Sequence, residues 1–416
     1  MTAPPAAPPP STPPPESSKP PFWRNVNVLR VLIQILAFVV VVGLVIVLRN
    51  NLLNNLNRLG ISTSFDFLYS NPGFSVRDSN YDPQAPDATV WRMILVGVRN
   101  TAASSVVGIA IALVMGTLIG IGRLSTNWVL RKLTTLYVEI FRNIPPLVII
   151  IFVGVALFTN GPLPLFNPTN PPGELQIPGT DSNFLIYSKT RIGLPSVMND
   201  DNSSAFWIIM VVALIVAVGV WMWRTKVNND TGADHHRVLW SLGTIFGIGL
   251  VAYLVLGGPV GFSFPAVSES GRLIEGGIAT NDAYLALTLA LAIYTASHIA
   301  EISRGSILAV AKGQSEASNA LALSGFQRYR FVILPQAARI ALPSIINQFL
   351  NFVKNTSLAT AVAYPEITAL TQSLIGNDQP SPQSILILMA IYLTFSLVIS
   401  LVLNIVNRRF QIEGRT

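Results

Sequence analysis

Apolar residues in this chain come in long runs, without the strict alternation of a half-buried strand or the narrow stripe of a surface helix. The first run, 31–48, contains no charged residue and as a helix would be about 27 Å long, nearly the thickness of a hydrocarbon core. Seven further segments are read as membrane spans: 101–122, 133–158, 205–223, 239–258, 283–300, 340–363 and 384–406. Segment 101–122 carries Gly108, Gly116 and Gly120, which permit close helix–helix approach. Within 133–158 the pair Pro145–Pro146 lacks two backbone donors and predicts a kink. Segment 340–363 is unusually polar. The stretch 160–204, rich in Pro, Asn and Gly, is too irregular to span and reads as an external loop.

Composition agrees with lipid as the main solvent. Hydrophobic residues make up 51% and charged residues only 11% of the 416 positions, where a soluble domain carries about 25% charged. The formal charge of +7 is spread thinly between apolar runs, with no basic stripe interleaved with aromatics, which argues against nucleic acid as a partner. Its placement does orient the chain. Arg123, Arg131 and Lys132 lie in one loop, and Arg304, Lys312, Arg328, Arg330 and Arg339 outnumber Glu301 and Glu316 in another. Arg408, Arg409 and Arg415 outnumber Glu413 in the tail, whereas 160–204, 259–282 and 364–383 are each net acidic. The positive-inside rule then places both termini in the cytoplasm. Residues 1–21 form a Pro/Ser/Ala tract with almost nothing to bury, a disordered or polyproline-like tail, and the run after it is read as an uncleaved span.

Chemistry is sparse. There is no cysteine, so disulfides, thiolate metal sites and cysteine nucleophiles are excluded. No nucleophile–base arrangement and no G-x-x-x-x-G-K-[ST] loop occurs, so any ATP that drives this protein is hydrolysed by another chain. His235 and His236 lack a third ligand nearby and read as solvated; His298 reads as a structural hydrogen-bonding residue and Glu366, after Pro365, as a solvated loop carboxylate. Glu139 with Arg142, and Glu301 with Arg304, stand three residues apart on helices and invite either an ion pair or a gating contact.

Two constellations stand out. The loop 301–339 has helical spacing through Ala317, Ala320 and Leu321, a turn permitted by Gly325, and a second helical stretch from Phe326 to Leu334 before Pro335. Such a helix–turn–helix either docks in a groove on a soluble partner or rests on lipid headgroups. On the seventh span Asn347, Asn351, Lys354 and Asn355 share one helical face, with Gln348 and Thr356 beside it. Amides and an ammonium are costly in hydrocarbon. The face therefore either lines a substrate path, with a cation to meet a carboxylate, or hydrogen-bonds between helices.

The first of these loops resembles the EAA loop of ABC-importer permeases. Glu316-Ala317-Ser318 stands in place of Glu-Ala-Ala, and Val332-Ile333-Leu334-Pro335 ends the motif at the same spacing. The family's usual glycine falls on Ala322, and a glycine stands instead at Gly325. Ala300–Gln314, Pro335–Leu358 and Glu139-Ile140-Phe141-Arg142-Asn143-Ile144-Pro145 are similar to the polar amino-acid branch of that family. The resemblance covers about 92–158 and 283–410, and the insertion between them with the extra first span is similar to the long permease of general L-amino-acid transporters.

The resemblance implies an all-α polytopic transmembrane bundle of the type I ABC importer class, with about eight transmembrane helices, in a bacterial inner membrane. It implies a tail (1–21), an accessory span with a long periplasmic loop (22–91), a split core (92–158 and 283–407), an insertion with two spans (159–282) and a cytoplasmic end (408–416). It further implies a homologous second permease, two cytoplasmic ATP-binding subunits that use ATP and Mg, and a periplasmic amino-acid-binding protein. This chain itself would bind no cofactor or metal. L-amino acids, acidic and neutral polar, are the implied cargo, with Glu316, Ala317, Ser318, Ala322, Gly325, Leu334 and Pro335 in the ATPase-coupling element. An ATPase-independent secondary transporter or channel is the alternative; inverted repeats and paired intramembrane carboxylates, which would favour it, are not found.

Overall fold

The computed structural model of the chain describes residues 26–60, 64–76, 81–161, 163–164, 172–199, 202–232, 236–269 and 274–410. The tail 1–21, His235 and residues 411–416 lie outside them. The chain forms two compact units, dividing between Asp66 and Phe67. In the first, helix α1 (Val26–Arg58) is apolar on every side from Val31 to Leu48 save at Gln34, with those side chains turned outward. An all-round apolar helix of this length is solvated by lipid.

The second unit is built around α7 (Asp282–Leu308), whose first turn is capped by Asn281 accepting from the Tyr284 amide at 2.7 Å. Small residues fill much of α7, and Ala286, Ala290, Ala292, Ala296 and Ala300 are buried. Helix α2 (Val90–Gly122) lies along it. A Cβ at Gly116 would stand 2.7 Å from the Ile299 Cβ, and one at Gly120 would stand 2.6 Å from the Ala300 carbonyl oxygen. Glycine is required at both positions. Without water between helices, close packing of this kind is a main source of association in lipid. The small-residue face expected from Gly108, Gly116 and Gly120 is therefore the α2–α7 seam, with Gly108 turned to the Phe352 ring.

The expected span 133–158 is two helices. Trp128–Asn143 (α3) and Pro146–Val153 (α4), which continues as one wide turn to Thr159, meet at 107°. Ile144 before Pro145 is extended, as a residue preceding proline prefers, and Pro146 opens the next helix, where its missing donor costs nothing. Ile149, Ile150 and Val153 of α4 are buried against α7 residues Leu287 and Leu291.

Helices α5 (Ser203–Thr231) and α6 (Arg237–Val255) form an antiparallel pair. The segments flanking them are not irregular loops, as the sequence led us to expect. Strands β1 (Gly173–Gln176), β2 (Asn183–Tyr187), β3 (Arg191–Leu194) and β8 (Ile278–Asn281) pair antiparallel in that order, with Arg191 opposite Asn281. Strands β4 (Ser196–Asn199) and β5 (Val260–Ser263), and β6 (Ala266–Val267) and β7 (Ile274–Glu275), form two ribbons. The helical bundle thus carries a small β module, and β8 leads directly into α7.

After α7 come two short helices, α8 (Lys312–Ala320) and α9 (Gly325–Arg328), then a wide turn over Tyr329–Ile333 and α10 (Leu334–Asn355). A 3₁₀ stretch, Thr356–Val362, α11 (Ile367–Gly376) and α12 (Ser381–Phe410) complete the chain. By length and composition six of the described helices can cross a membrane, or seven if the bent pair is one span. Helix α10, the expected span 340–363, has the length but not the apolar character.

Candidate functional site

The element between α7 and α10 is a short helix pair with its own internal bonding. Helix α8 ends at Ala320 with Leu321 as its cap, and the chain turns at Ala322, whose φ of +52° is in the left-handed region. This corrects the expected turn at Gly325. The residue at the family's usual glycine position makes the turn, and Gly325 begins α9 with ordinary helical backbone and open space where a Cβ would be. Ser324 caps α9: its hydroxyl accepts from the Gln327 amide at 3.3 Å, and the Gln327 side chain accepts from the Ser324 amide at 2.9 Å. Arg328 donates to Asn319 Oδ1 at 2.8 Å and ties α9 to α8. Ser318 is buried, donating to the Gln314 carbonyl at 2.6 Å.

Against this bonded frame, the outer face is open. Leu321, Phe326 and Phe331 are 74, 71 and 63% exposed. Glu316 and Ala317 are exposed as well, and Glu316 makes no hydrogen bond or ion pair among the described residues. Leu334 and Pro335 continue the exposed surface at the start of α10. Exposed apolar side chains and an unpaired carboxylate on one short element are the composition of a docking face.

Behind the element, Glu301 on α7 holds two arginines. Arg304 donates to its Oε1 at 2.5 Å, and Arg123, just past the end of α2, pairs with its Oε2. Arg123 escaped the sequence reading as a partner, since its separation of 178 residues from Glu301 leaves no local signal. The other spaced pair behaves differently. Glu139 and Arg142 on α3 are both exposed and form no ion pair with each other, while Asn143 donates to the Glu139 carbonyl at 2.7 Å.

Helix α10 presents its polar face outward. Asn347, Asn351 and Lys354 are exposed, and Gln348 and Asn355 are half-buried. None of these five side chains has a hydrogen-bond partner among the described residues. The opposite face is packed, with Phe352 and Val353 buried. Thr356 turns inward: its hydroxyl donates to the Val353 carbonyl at 2.7 Å and lies 3.5 Å from the Tyr392 hydroxyl.

That tyrosine leads to a residue misjudged from sequence. Glu366 is fully buried, and its carboxylate caps α11, accepting from the Ala369 amide at 2.8 Å and from Tyr392 Oη at 3.0 Å. On the α2 side Asn100 donates to the Pro365 carbonyl at 2.9 Å, and Thr101 Oγ1 accepts from the Ile367 amide at 3.3 Å. The turn between α10 and α11 is thereby bolted to α2 and α12 by polar groups inside the bundle. Asn100 and Glu366 lacked a signal because each stands alone in sequence. His298 also differs from expectation: its Nε2 is buried without a hydrogen-bond partner, and its ring meets Tyr294 edge-on at 4.8 Å. Among the described residues no group of His, Asp or Glu is arranged to hold a metal ion.

Residues 108–412 match the family described as "Binding-protein-dependent transport system inner membrane component". The chain is 39% identical over 92% of its length to the putative amino-acid ABC transporter permease protein YhdX of Escherichia coli (strain K12), covering 94% of that protein. It is 35% identical over 92% of its length to the general L-amino acid transport system permease protein AapQ of Rhizobium johnstonii, covering 92% of it. It is 31% identical, again over 92%, to the glutamate/glutamine/aspartate/asparagine transport system permease protein BztB of Rhodobacter capsulatus, of which it covers 94%.

Proposed function

Since the chain belongs to the binding-protein-dependent transport system inner membrane components, a permease subunit of an ABC amino-acid importer, we propose how it divides that work among its helices. The α8–α9 element is the lever that partner ATPases move, and the polar face of α10 lines the amino-acid path. Two ATP-binding subunits, which use ATP and Mg, dock on the face formed by Glu316, Leu321, Phe326 and Phe331. A homologous permease closes the path opposite Asn347, Asn351 and Lys354. A periplasmic binding protein delivers L-amino acids, acidic and neutral polar. Lys354 meets the cargo's carboxylate, and the amides of Asn347, Gln348, Asn351 and Asn355 meet its polar groups.

One observation carries the reading. The loop between α7 and α10 holds its own shape through a capping box and the Arg328–Asn319 bond, yet leaves its apolar outer face uncovered. A lever must be stiff and must have something to grip it. Ion pairs from Glu301 to Arg123 and Arg304 tie the end of α2 to the last turns of α7, and α7 leads through a short link into α8, so motion at α8 is passed to the helices that carry the core. ATP binding then shifts the population between outward- and inward-open states, because it favours the arrangement in which the ATPases close.

The test uses the purified transporter with all its subunits, reconstituted in proteoliposomes. Glu316→Lys should lower cargo-stimulated ATP hydrolysis and uptake by roughly thirtyfold or more, the loss expected from reversing a desolvated interfacial charge, while the permease remains in the membrane. Unchanged uptake would remove the lever assignment. Full uptake without ATP would instead favour a secondary transporter.

A further inference from the structure

The α5–α6 hairpin takes no part in the lever or the α10 path, and it packs chiefly on itself. Strands precede α5 and follow α6, and the last strand leads into α7, which runs to the α8–α9 lever. If each of these helices crosses once, the α5–α6 turn lies on the lever's face of the membrane. Three tryptophans and two arginines gather at that end. The Arg224 guanidinium carbon lies 4.8 Å from the Trp223 ring centre and 4.4 Å from that of Trp240, and Arg237 lies 5.2 Å from that of Trp221. Both helices contribute to these stacks, which hold the guanidinium groups in place. Arg224 Nε is buried there without a hydrogen-bond partner.

Beside the stacks opens a cavity of about 550 Å³ whose wall includes Asn228, Asn229, His236 and Arg237. Leu239 lines it and also borders a second cavity, of about 380 Å³, formed with Trp240, Gly243 and Thr244. From Leu239 to Gly243 is one helical turn, about 6 Å deeper into the membrane. No atom lies within 4 Å of where a Cβ of Gly243 would be, so the second cavity is an open groove. A polar, cationic chamber thus continues into an apolar groove in the direction of the bilayer. Asp230, on the same helix, does not line either cavity.

We propose that this end of the hairpin binds an anionic phospholipid. Its phosphodiester is held by Arg237 and the amide of Asn229, with Arg224 at the boundary, and one acyl chain lies past Leu239 along Gly243. A soluble anion would use only the first chamber. Among the described residues no carboxylate lines the chamber, so a zwitterionic lipid would gain less from the two arginines than an anionic one. This inference goes beyond the transport reading and does not depend on it.

The test is native mass spectrometry of the full-length permease with its co-purifying subunits, stripped of lipid and then incubated with phosphatidylglycerol or phosphatidylcholine. Phosphatidylglycerol should be retained about tenfold more strongly, and excess inorganic phosphate should not displace it. The double variant Arg224→Gln/Arg237→Gln should bring the two lipids to parity. If that variant does not assemble, Gly243→Leu, on an open helix surface, should fill the groove and lower retention of phosphatidylglycerol. Equal retention of the two lipids by the unmodified protein, loss of the lipid to inorganic phosphate, or phosphatidylglycerol retention unmoved by an assembled variant would overturn the proposal.

Discussion

Replacing Ala322 by glycine should make the lever more rigid. At φ +52° the Ala322 Cβ crowds its own backbone, at a cost of about 1–2 kcal/mol that glycine escapes. Glycine in turn loses about 0.5–1 kcal/mol more backbone entropy on ordering. The difference leaves Ala322→Gly ahead by roughly 0.5–1 kcal/mol, a two- to fivefold shift toward the closed turn. Three amides report on it: Leu321 donates to the Ala317 carbonyl at 3.1 Å, Ala322 to Asn319 at 2.9 Å and Leu323 to Ser318 at 3.1 Å. Hydrogen exchange at these positions, measured on the assembled transporter in nanodiscs, should slow by that factor. Gly325→Ala is the comparison, because its Cβ meets nothing within 4 Å and its backbone is already helical. It should leave the turn amides unchanged. Faster or unchanged exchange in Ala322→Gly, or a strong acceleration in Gly325→Ala, would mean that the chain turns at Gly325 after all.

Gly116→Ala should lower the thermal unfolding midpoint in detergent by an amount equivalent to about 1–3 kcal/mol, since its Cβ would stand 2.7 Å from that of Ile299 and 2.8 Å from the Ala296 carbonyl. Gly219→Ala, with nothing within 4 Å, should not; equal shifts would refute the α2–α7 seam. Glu366→Ala removes the α11 cap and leaves the Ala369 amide without its acceptor, while the Tyr392 hydroxyl keeps the Thr368 hydroxyl at 2.9 Å, so the cost is about 1–2 kcal/mol. Glu366→Gln keeps an acceptor and should lose less in the same melting assay; a neutral alanine variant would contradict the buried role. Lys354→Met should weaken amino-acid stimulation of ATP hydrolysis about tenfold, the order of one lost charge-assisted hydrogen bond, and an unaltered response would place Lys354 outside the path.

How far the fold is legible depends on what lipid demands. Helices α1, α5, α6, α7 and α12 follow from uninterrupted apolar runs, because a backbone in hydrocarbon has few other ways to satisfy its hydrogen bonds. The start of α2 did not. The run begins at 101, but the helix begins at Val90, capped by Thr89, and includes Arg92, Arg99 and Asn100. Asn100 belongs inside because Pro365, far along the chain, supplies its acceptor. The β module was hidden for another reason: its strands are two to five residues long, too short for a period to emerge among prolines and glycines. The α3–α4 break was legible in kind from Pro145–Pro146, but its size of 107° depends on how α4 packs on α7.

The polar residues divide in a way that no local pattern reveals. Glu366, Tyr392, Thr356, Asn100 and Thr101 satisfy one another or nearby backbone within this chain, and they join α2, α11 and α12. Among the described residues Asn347, Gln348, Asn351, Lys354 and Asn355 have no such partners, and neither does Glu316. From sequence the two groups look alike, and Glu366 even read as the more solvated. Burial separates them. The Glu366 carboxylate persists in the interior because the Ala369 amide and the Tyr392 hydroxyl receive it, whereas five polar side chains without partners among the described residues are tolerable at membrane depth only if something else meets them. Water, cargo and a second permease are what can do so. On the proposed reading, the unpaired face of α10 and the uncovered face of α8–α9 have one cause: both are surfaces that other components of the transporter meet.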